Sequence, residues 1–329
     1  MKTLNVKRFC MATVLALAGA AAQAAGFQRG LAANAEGKPL EIGIWYPSPA
    51  AVQSTPVGSK TLQVAVNGPV QGKALSLVVI SHGSGGSFLG HSNTAMATAL
   101  ADAGFVVAAV THAGDNYADQ SRSVNIMDRP LQISRVIDHM LSSWNGRAAI
   151  NPERIGMFGF SAGGFTALVS IGGVPDFSKT DAVCRQHPGD FACQLLAKNK
   201  QPIVLPPSSS TADARIKAAV VAAPALGFVF APDGLRKVKV PVQLWRAEND
   251  VLLPHPRYAE AVRLALPQAP DYHVVPRAGH FDFMAPCDQA QAAHSPDICA
   301  SATGFDRVAF HARFNAAIVD FFRKTLGAH

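Results

Sequence analysis

Short apolar runs separated by amphipathic segments predict an alternation of strands and helices along most of this chain. Six runs have the length and composition of buried strands, at 75–80, 105–110, 155–158, 216–223, 240–245 and 272–276. Two others, 40–46 and 61–66, alternate between apolar and polar residues, which is typical of half-exposed antiparallel strands. Because strands that alternate with helices build βαβ units, we predict an α/β protein with a mostly parallel central sheet flanked by helices.

The helices between these strands are indicated by one-sided apolar spacing. The clearest example begins near Asp128 and Pro130 and has apolar residues at i, i+3, i+4, i+7 and i+8, namely Ile133, Val136, Ile137, Met140 and Leu141. Further helices are predicted over 94–103, 254–266 and 305–326. Each has the spacing of a helix that buries one face on a sheet.

The first 24 residues have the pattern of a secretory signal peptide. Lys2, Lys7 and Arg8 precede an apolar stretch over 11–22, and Ala22-Gln-Ala24 forms a cleavage site. The apolar stretch is too short to span a bilayer. We therefore expect cleavage near Ala24, a periplasmic or secreted protein, and one domain over 25–329.

The charge of the chain argues against nucleic-acid binding. The formal net charge is +7, and removal of the three positive charges in the leader leaves +4. The remaining lysines and arginines are scattered and form no basic run. We expect no nucleic-acid partner, no transmembrane span and a monomer.

Four cysteines follow the leader, spaced as Cys184…Cys193 and Cys287…Cys299. In an oxidising compartment this even number favours two local disulfides, although four cysteines allow three pairings. A zinc site that combines them with His187 or His294 is an alternative, but no C-x-x-C pair supports it.

Gly159-Phe-Ser161-Ala-Gly163 follows the apolar run 155–158 and matches the G-x-S-x-G nucleophile elbow, a tight turn from strand to helix. The glycines avoid steric overlap in this turn, and Ser161 comes to lie at a helix N-terminus, where developing negative charge is stabilised. The alternative is a glycine-rich turn with a capping serine. Ser161 is the candidate nucleophile.

An acid and a histidine follow in the order that α/β enzymes of this kind use. Asp250 lies just past the run 240–245, and His280 just past 272–276, so both are expected at the carboxyl edge of the sheet, where sites form. Glu248 is the competing acid. Asp250 would otherwise be a loop carboxylate that caps a helix.

A glycine-rich loop, Ser81-His-Gly-Ser-Gly-Gly86, follows the run 75–80. Loops of this kind supply a backbone N–H to an oxyanion hole, and the second N–H comes from the residue after the nucleophile. Ala162 is therefore one candidate donor, and the other is expected in this loop. A phosphate-binding loop is the alternative, but the loop lacks the lysine and the glycine spacing of such motifs.

Together with Thr111-His-Ala-Gly-Asp-Asn116 and Arg129-Pro130, these motifs resemble the bacterial dienelactone-hydrolase-like group of α/β-hydrolases, which is similar to platelet-activating-factor acetylhydrolase. The resemblance covers about residues 30–326. It implies the α/β-hydrolase fold, a Ser161/Asp250/His280 triad and oxyanion donors at Ser84 and Ala162. Dienelactone hydrolase itself uses a cysteine nucleophile, so Ser161 leaves ester hydrolysis as the expectation but not the dienelactone substrate.

The stretch 172–215 fits no strand–helix unit and contains Cys184, Cys193 and a segment rich in proline and serine. Irregular insertions after the nucleophile helix commonly form a cap over the site. The alternative is a surface loop, pinned by a disulfide, that does not contact substrate. His82, Phe228 and Phe230 are further candidates to line the substrate site.

The sequence thus predicts a serine-dependent carboxylic ester hydrolase that acts on short-acyl or lipid-like small-molecule esters through an acyl-enzyme. This mechanism needs no metal or organic cofactor. A peptidase or acyltransferase could use the same triad, and a non-catalytic binding protein could share the fold.

Overall fold

The computed structural model describes residues 24–35, 37–58, 60–198 and 211–327. Its strands are β1 (Ala24–Ala32), β2 (Leu40–Ser48), β3 (Gln53–Val57), β4 (Lys60–Val66), β5 (Leu75–Ser81), β6 (Val106–Val110), β7 (Ile150–Phe160), β8 (Ile216–Ala222), β9 (Val242–Ala247) and β10 (Asp271–Val275). Its helices are α1 (His91–Asp102), α2 (Asp128–Ser142), α3 (Ala162–Ser170), α4 (Thr180–Gln186), α5 (Phe191–Lys198), α6 (Ala259–Ala265), α7 (Gln289–His294), α8 (Pro296–Cys299) and α9 (Arg307–Leu326).

The strands form one sheet in the order β10-β9-β8-β7-β5-β6-β2-β1-β4-β3. Every neighbouring pair from β10 to β6 is parallel, and β2 joins β6 in antiparallel orientation. β1 is antiparallel to β2 and parallel to β4, and β3–β4 is a hairpin at the far edge. The predicted α/β architecture with a mostly parallel central sheet is confirmed.

Two apolar layers enclose this sheet. One layer contains the buried faces of α2, α3 and α6, with Ile133, Phe165 and Val262 fully buried, and the other contains those of α1 and α9. Strands covered on both faces need apolar residues at consecutive positions, which explains the continuous apolar runs of β5, β6 and β8. The carboxyl edge of the parallel strands stays open for loops.

The structure departs from the predicted elements at two places. β2 is buried almost throughout, not half-exposed, because Trp45 packs into one layer and Tyr46 into the other. The helix predicted over 254–266 is shortened to α6, since Pro254 and Pro256 disfavour helical backbone before them. Several elements, including β1, β3 and the short helices α4, α5, α7 and α8, were not predicted.

The predicted signal peptide, 1–24, lies outside the described residues except for Ala24, which begins β1. The predicted insertion is described in part: a short 3₁₀ helix, α4 and α5 lie within it, and 199–210 lie outside the described residues. Across the described ranges, no helix is both long enough and apolar enough to cross a bilayer.

The apolar side of the long helix α9 packs against one face of the sheet. The Asp306 carboxylate accepts a hydrogen bond from the Ala309 N–H at 2.9 Å and starts the helix, and Gly327 ends it with a φ of +64°. Phe322 is fully buried and lies over Gly156 of β7, where a Cβ would overlap its ring. This contact joins α9 to the strand that leads into Ser161.

We expect Phe322→Ala to lower the free energy of unfolding by roughly 3–5 kcal/mol, because it leaves a cavity between α9 and β7. Denaturant unfolding measures the change. Val308→Ala on the same helix is the control, since Val308 is 67% exposed and its truncation should change stability by less than about 0.5 kcal/mol. Equal losses for the two variants would show that α9 does not anchor the sheet in this way.

Candidate active site

Ser161 lies in a strained turn between β7 and α3. Its backbone has a φ of +56° and a ψ of −116°, a conformation that non-glycine residues rarely adopt. A Cβ at Gly159 would collide with the carbonyl of Gly163, and a Cβ at Gly163 would collide with the carbonyl of Ser81. The glycines of the motif are therefore required by close backbone approach.

The structure brings the three predicted catalytic side chains together in a hydrogen-bonded chain. His280 Nε2 lies 3.1 Å from Ser161 Oγ, and His280 Nδ1 lies 2.8 Å from Asp250 Oδ2. Since an ionised carboxylate only accepts hydrogen bonds, Nδ1 is the protonated nitrogen and Nε2 is free to accept the serine proton. Asp250 and His280 are both buried.

Backbone hydrogen bonds orient the Asp250 carboxylate. Its Oδ1 accepts from the N–H groups of Leu252 and Leu253, at 3.1 and 2.8 Å, which leaves Oδ2 for His280. The competing acid, Glu248, lies elsewhere: its exposed carboxylate accepts a hydrogen bond from the Arg277 N–H at 2.7 Å. The geometry therefore pairs His280 with Asp250.

The predicted oxyanion donors lie on either side of this chain. Ser84 lines the cavity in front of Ser161, and Ala162 is the first residue of α3. No described residue accepts a hydrogen bond from the backbone N–H of Ser84 or of Ala162. Two such amides near a nucleophile are what a developing oxyanion needs.

A buried arginine holds the loop that carries Ser84. The Arg129 guanidinium donates to the carbonyl of His82 at 2.6 Å and to that of Gly83 at 3.3 Å, and it pairs with Asp115 at 2.8 Å. The other oxygen of Asp115 accepts from the Gly85 N–H at 3.1 Å. Asp115 and Arg129 belong to the motifs that carry the family resemblance, but the sequence alone predicts no role for them. The available signal was Arg129, a charged residue one turn before Ile133 on the apolar face of α2.

The two histidines beneath the loop are structural and neutral. His82 Nε2 accepts from the His112 N–H at 3.0 Å, so its proton is on Nδ1, which donates to the Gly83 carbonyl. Burial and, to a smaller extent, the nearby Arg129 charge lower the pKa of His82 to about 3. The predicted lining residue His82 thus forms part of the cavity wall, with its polar atoms occupied by the protein.

His112 links the loop to α2. Its Nδ1 lies 2.8 Å from Gln132 Oε1, and its Nε2 lies 2.8 Å from Ser81 Oγ. Burial and the neighbouring Arg129 charge lower the pKa of His112 well below its usual value. A neutral histidine that donates to Gln132 accepts from Ser81, so the end of β5 is bonded to the interior of the domain.

The substrate space is a cavity of about 850 Å³ in front of Ser161. Its wall is mainly apolar and includes Phe88, Phe160, Leu252, Phe281 and Met284. Phe160, the residue before Ser161, lies with its ring centroid 4.9 Å from that of His280. A mainly apolar cavity with a few polar groups is typical of small-molecule sites.

Phe228 and Phe230, the other predicted lining residues, lie in the core instead of the cavity wall. They belong to a short 3₁₀ helix over 227–230. Phe228 packs 5.6 Å from the ring of Tyr258, and fully buried Phe230 packs 5.4 Å from that of Phe165. Within this turn Phe230 packs against α3 and Phe228 packs against Tyr258, the residue before α6.

Among the described residues, the segment after His280 contributes more of the cavity wall than the predicted insertion does. Of the described residues in 172–215, Phe191 alone lines the cavity, whereas α7 and α8 contribute Gln291, His294 and Ile298. This segment is closed by one of the two predicted disulfides, Cys287–Cys299, with a Cα–Cα distance of 5.7 Å.

The second bridge, Cys184–Cys193, has a Cα–Cα distance of 5.3 Å, so both predicted pairings are present. Sulfurs that are joined in these bridges do not serve as thiolate ligands, which removes the basis of the zinc alternative. Within the described part of the chain, no group of three His, Cys, Asp or Glu side chains is arranged to hold a metal.

The Cys287–Cys299 segment is tied to the histidine loop by Asp282. The Asp282 carboxylate accepts from the Gly279 N–H at 2.7 Å and from Arg307 Nε at 2.9 Å. The same guanidinium donates to the carbonyls of Ile298 and Ala300. The conformation around His280 is therefore coupled to the bridged segment.

Comparison with known proteins agrees with this geometry. A solved ferulic acid esterase from Streptomyces cinnamoneus matches with a TM-score of 0.65 over 96% of this chain and 93% of that one, at 18% sequence identity. The chain has the α/β-hydrolase fold. A family model described as platelet-activating factor acetylhydrolase, isoform II, matches residues 47–129.

The matched range contains the Ser81–Gly86 loop, Asp115 and Arg129, but none of the three residues of the hydrogen-bonded chain. No protein of curated function matches the sequence significantly. The structural match shows the fold, and the family-model match supports a carboxylic ester hydrolase, the enzyme class that the sequence indicates.

We expect the Arg129→Met/Asp115→Leu double variant to lower kcat on a p-nitrophenyl ester by about 100-fold with little change in KM. The reason is that the Ser84 amide loses its support and acts mainly in the transition state. Removing both charges avoids an unpaired buried ion, which alone costs about 3–5 kcal/mol.

Arg215→Met is the control for that experiment, because it breaks ion pairs with Asp213 and Asp138 on residues that do not line the cavity. Its kcat should stay near wild type. A rise in KM with unchanged kcat in the double variant would argue against a role in oxyanion stabilisation.

The two disulfides give a paired prediction. Replacing both cysteines of either bridge by serine should lower the melting temperature. The chain-entropy model puts the loss in the free energy of unfolding at roughly 2–3 kcal/mol. Loss of Cys287–Cys299 should also depress kcat/KM, since that segment lines the cavity and contacts the histidine loop. Steady-state kinetics below both melting transitions test this, and equal kcat/KM in the two double variants would limit the bridge to a stabilising role.

Proposed function

We propose that the protein is a serine-dependent carboxylic ester hydrolase that works through an acyl-enzyme. The observation that carries the proposal is the chain Ser161–His280–Asp250 at the wall of a mainly apolar cavity. The two unpartnered backbone amides of Ser84 and Ala162 support it further. The esterase matches described above agree with this chemistry.

In the first half-reaction, Ser161 Oγ attacks the ester carbonyl carbon while His280 Nε2 takes the hydroxyl proton. The electron pair of the carbonyl moves to its oxygen, which receives hydrogen bonds from the Ser84 and Ala162 amides. The Asp250 carboxylate stabilises the imidazolium. Collapse of the tetrahedral intermediate expels the alcohol, which takes its proton from His280.

In the second half-reaction, water replaces the alcohol. His280 Nε2 removes a proton from water as its oxygen attacks the acyl carbon, and the same oxyanion donors act again. Collapse returns the proton to Ser161 and releases the carboxylic acid. Each half-reaction leaves His280 neutral, so the site is regenerated.

The cavity supports a short-acyl or lipid-like ester as the substrate. Apolar side chains that include Phe88, Leu252 and Phe281 line the cavity beside Ser161, and they can contact an acyl chain or an aromatic alcohol. A secreted or periplasmic location is likewise our proposal, supported by the two disulfides and by the leader pattern at 1–24.

Substitution of the hydrogen-bonded chain tests the proposal. Ser161→Ala and His280→Ala should each lower kcat on p-nitrophenyl butyrate by about 10⁴–10⁶-fold, and Asp250→Asn by about 10⁴-fold, without additive effects in combination. Glu248→Gln is the matched control at the neighbouring acid and should remain within a few-fold of wild type. Circular dichroism checks that each variant is folded.

Fluorophosphonate labelling complements the kinetics. The wild-type protein should gain one adduct on Ser161 by peptide mapping, and Ser161→Ala should gain none. Near-wild-type turnover by Ser161→Ala, or no labelling of the wild type, would contradict the proposal. Cleavage of amides in preference to esters, or transfer of the acyl group to an added alcohol, would identify a peptidase or an acyltransferase instead.

A further inference from the structure

Among the described residues, one positively charged side chain of the cavity wall has no ion-pair partner. Lys60, at the start of β4, lines the cavity and is only partly exposed. Among the described residues, no hydrogen bond or ion pair reaches its ammonium group. Lysines at a protein surface usually extend their charge into water, so a half-buried, unpaired ammonium at a substrate cavity needs an explanation.

The other Arg and Glu side chains that line the cavity pair with each other. Arg29 and Glu41 lie 3.6 Å apart near the rim, and both are about half exposed. The Asp288 carboxylate, which does not line the cavity, begins α7 by accepting from the Gln291 N–H at 2.8 Å, and its attraction to Lys60 acts at longer range. The neutral His82 contributes no charge. Among the described Lys, Arg, Asp and Glu side chains that line the cavity, Lys60 is thus the one without an ion-pair partner.

Burial destabilises the protonated form of the Lys60 ammonium group. Desolvation lowers the pKa of Lys60 from its usual value, and Coulomb attraction to Asp288 offsets this only in part. A bound anion beside the ammonium would restore the stabilisation that desolvation removes. The site is thus better suited to a negatively charged ligand than to a neutral one.

The position of Lys60 is set by packing, not by a mobile surface loop. It follows the turn of the β3–β4 hairpin, and a Cβ at Gly58 in that turn would meet the Leu89 side chain. Leu89 lies three residues after Gly86 and also lines the cavity. The hairpin thus contacts the chain that leads out of the oxyanion loop and presents Lys60 to the same space as Ser161.

We propose that the cavity selects esters that carry an anionic group, such as a carboxylate, and that Lys60 binds this group. The proposal rests on the proposed ester hydrolysis and names its substrate class. The apolar walls would contact the carbon skeleton of such an ester, and the ammonium would orient it. A charge-assisted hydrogen bond in a partly desolvated site has the strength needed for such discrimination.

Two matched pairs of esters test the proposal. Mono-p-nitrophenyl glutarate and p-nitrophenyl valerate differ by a carboxylate on the acyl side, and 4-acetoxybenzoate and 4-methylphenyl acetate differ on the alcohol side. We expect Lys60→Met to lower kcat/KM for at least one of the two anionic esters by about 10- to 100-fold. The neutral esters should change less than about threefold, and comparison with wild type on the same ester cancels intrinsic reactivity.

Two further variants complete the test. Lys60→Arg keeps the charge and should keep the preference for the anionic ester. Lys73→Met removes an exposed lysine that does not line the cavity and should change nothing. Equal effects of Lys60→Met on anionic and neutral esters, or no effect on either anionic ester, would overturn the proposal.

A binding measurement separates this proposal from the proposed function. If the wild-type protein hydrolyses none of the four esters, the proposed function is wrong. Titration calorimetry of the same esters into Ser161→Ala needs no turnover, and it should show tighter binding of an anionic ester that Lys60→Met abolishes in the same background. Equal affinity for anionic and neutral esters there would reject the role of Lys60.

Discussion

The close approach of α3 to the end of β5 is the constraint on which the rest of the site depends. Gly163 lies so near the Ser81 carbonyl that no side chain fits between them, and Gly159 is equally close to Gly163. This contact holds Ser161 in its strained conformation and places the first amide of α3 beside the Ser81–Gly86 loop. Close backbone contact thereby positions Ser161, the proposed nucleophile, and the Ala162 amide.

A buried polar framework keeps that loop in place. Arg129 supplies donors to two loop carbonyls, Asp115 accepts from a loop amide, and His112 bonds to Ser81. Buried polar groups stabilise a conformation only when their hydrogen-bonding capacity is met, and here each of these groups has a partner. Because these groups are bonded, the loop can leave the Ser84 amide without a partner with little loss of stability.

The opposite wall of the cavity depends on tertiary contacts between distant segments. Asp282 and Arg307 join the His280 loop to the segment closed by Cys287–Cys299, and the β3–β4 hairpin approaches from the far edge of the sheet. These elements surround the catalytic side chains but do not include them. In the proposed function, substrate selection and chemistry are thus assigned to different parts of the fold.

Features that follow from short-range constraints could be inferred without the structure. The elbow around Ser161 is a five-residue steric pattern, the parallel strands are continuous apolar runs, and the paired cysteines lie within about a dozen residues of each other. The order of Ser161, Asp250 and His280 along the chain, each after a strand, was enough to bring them to one edge. Only the three-dimensional geometry separated Asp250 from Glu248, which lies two residues away.

Which side chains line the cavity and which lie in the core depends on tertiary contacts. Phe228 and Phe230 have the composition of a pocket wall, yet a 3₁₀ turn directs them into the core. Lys60 and the segment around α7 and α8 carry no local signal of a binding role. Their place at the cavity depends on tertiary contacts, which join the β3–β4 turn to Leu89 and the bridged segment to Asp282 through Arg307. Short-range patterns report local backbone geometry, whereas the shape and charge of a cavity depend on contacts between residues far apart in the chain.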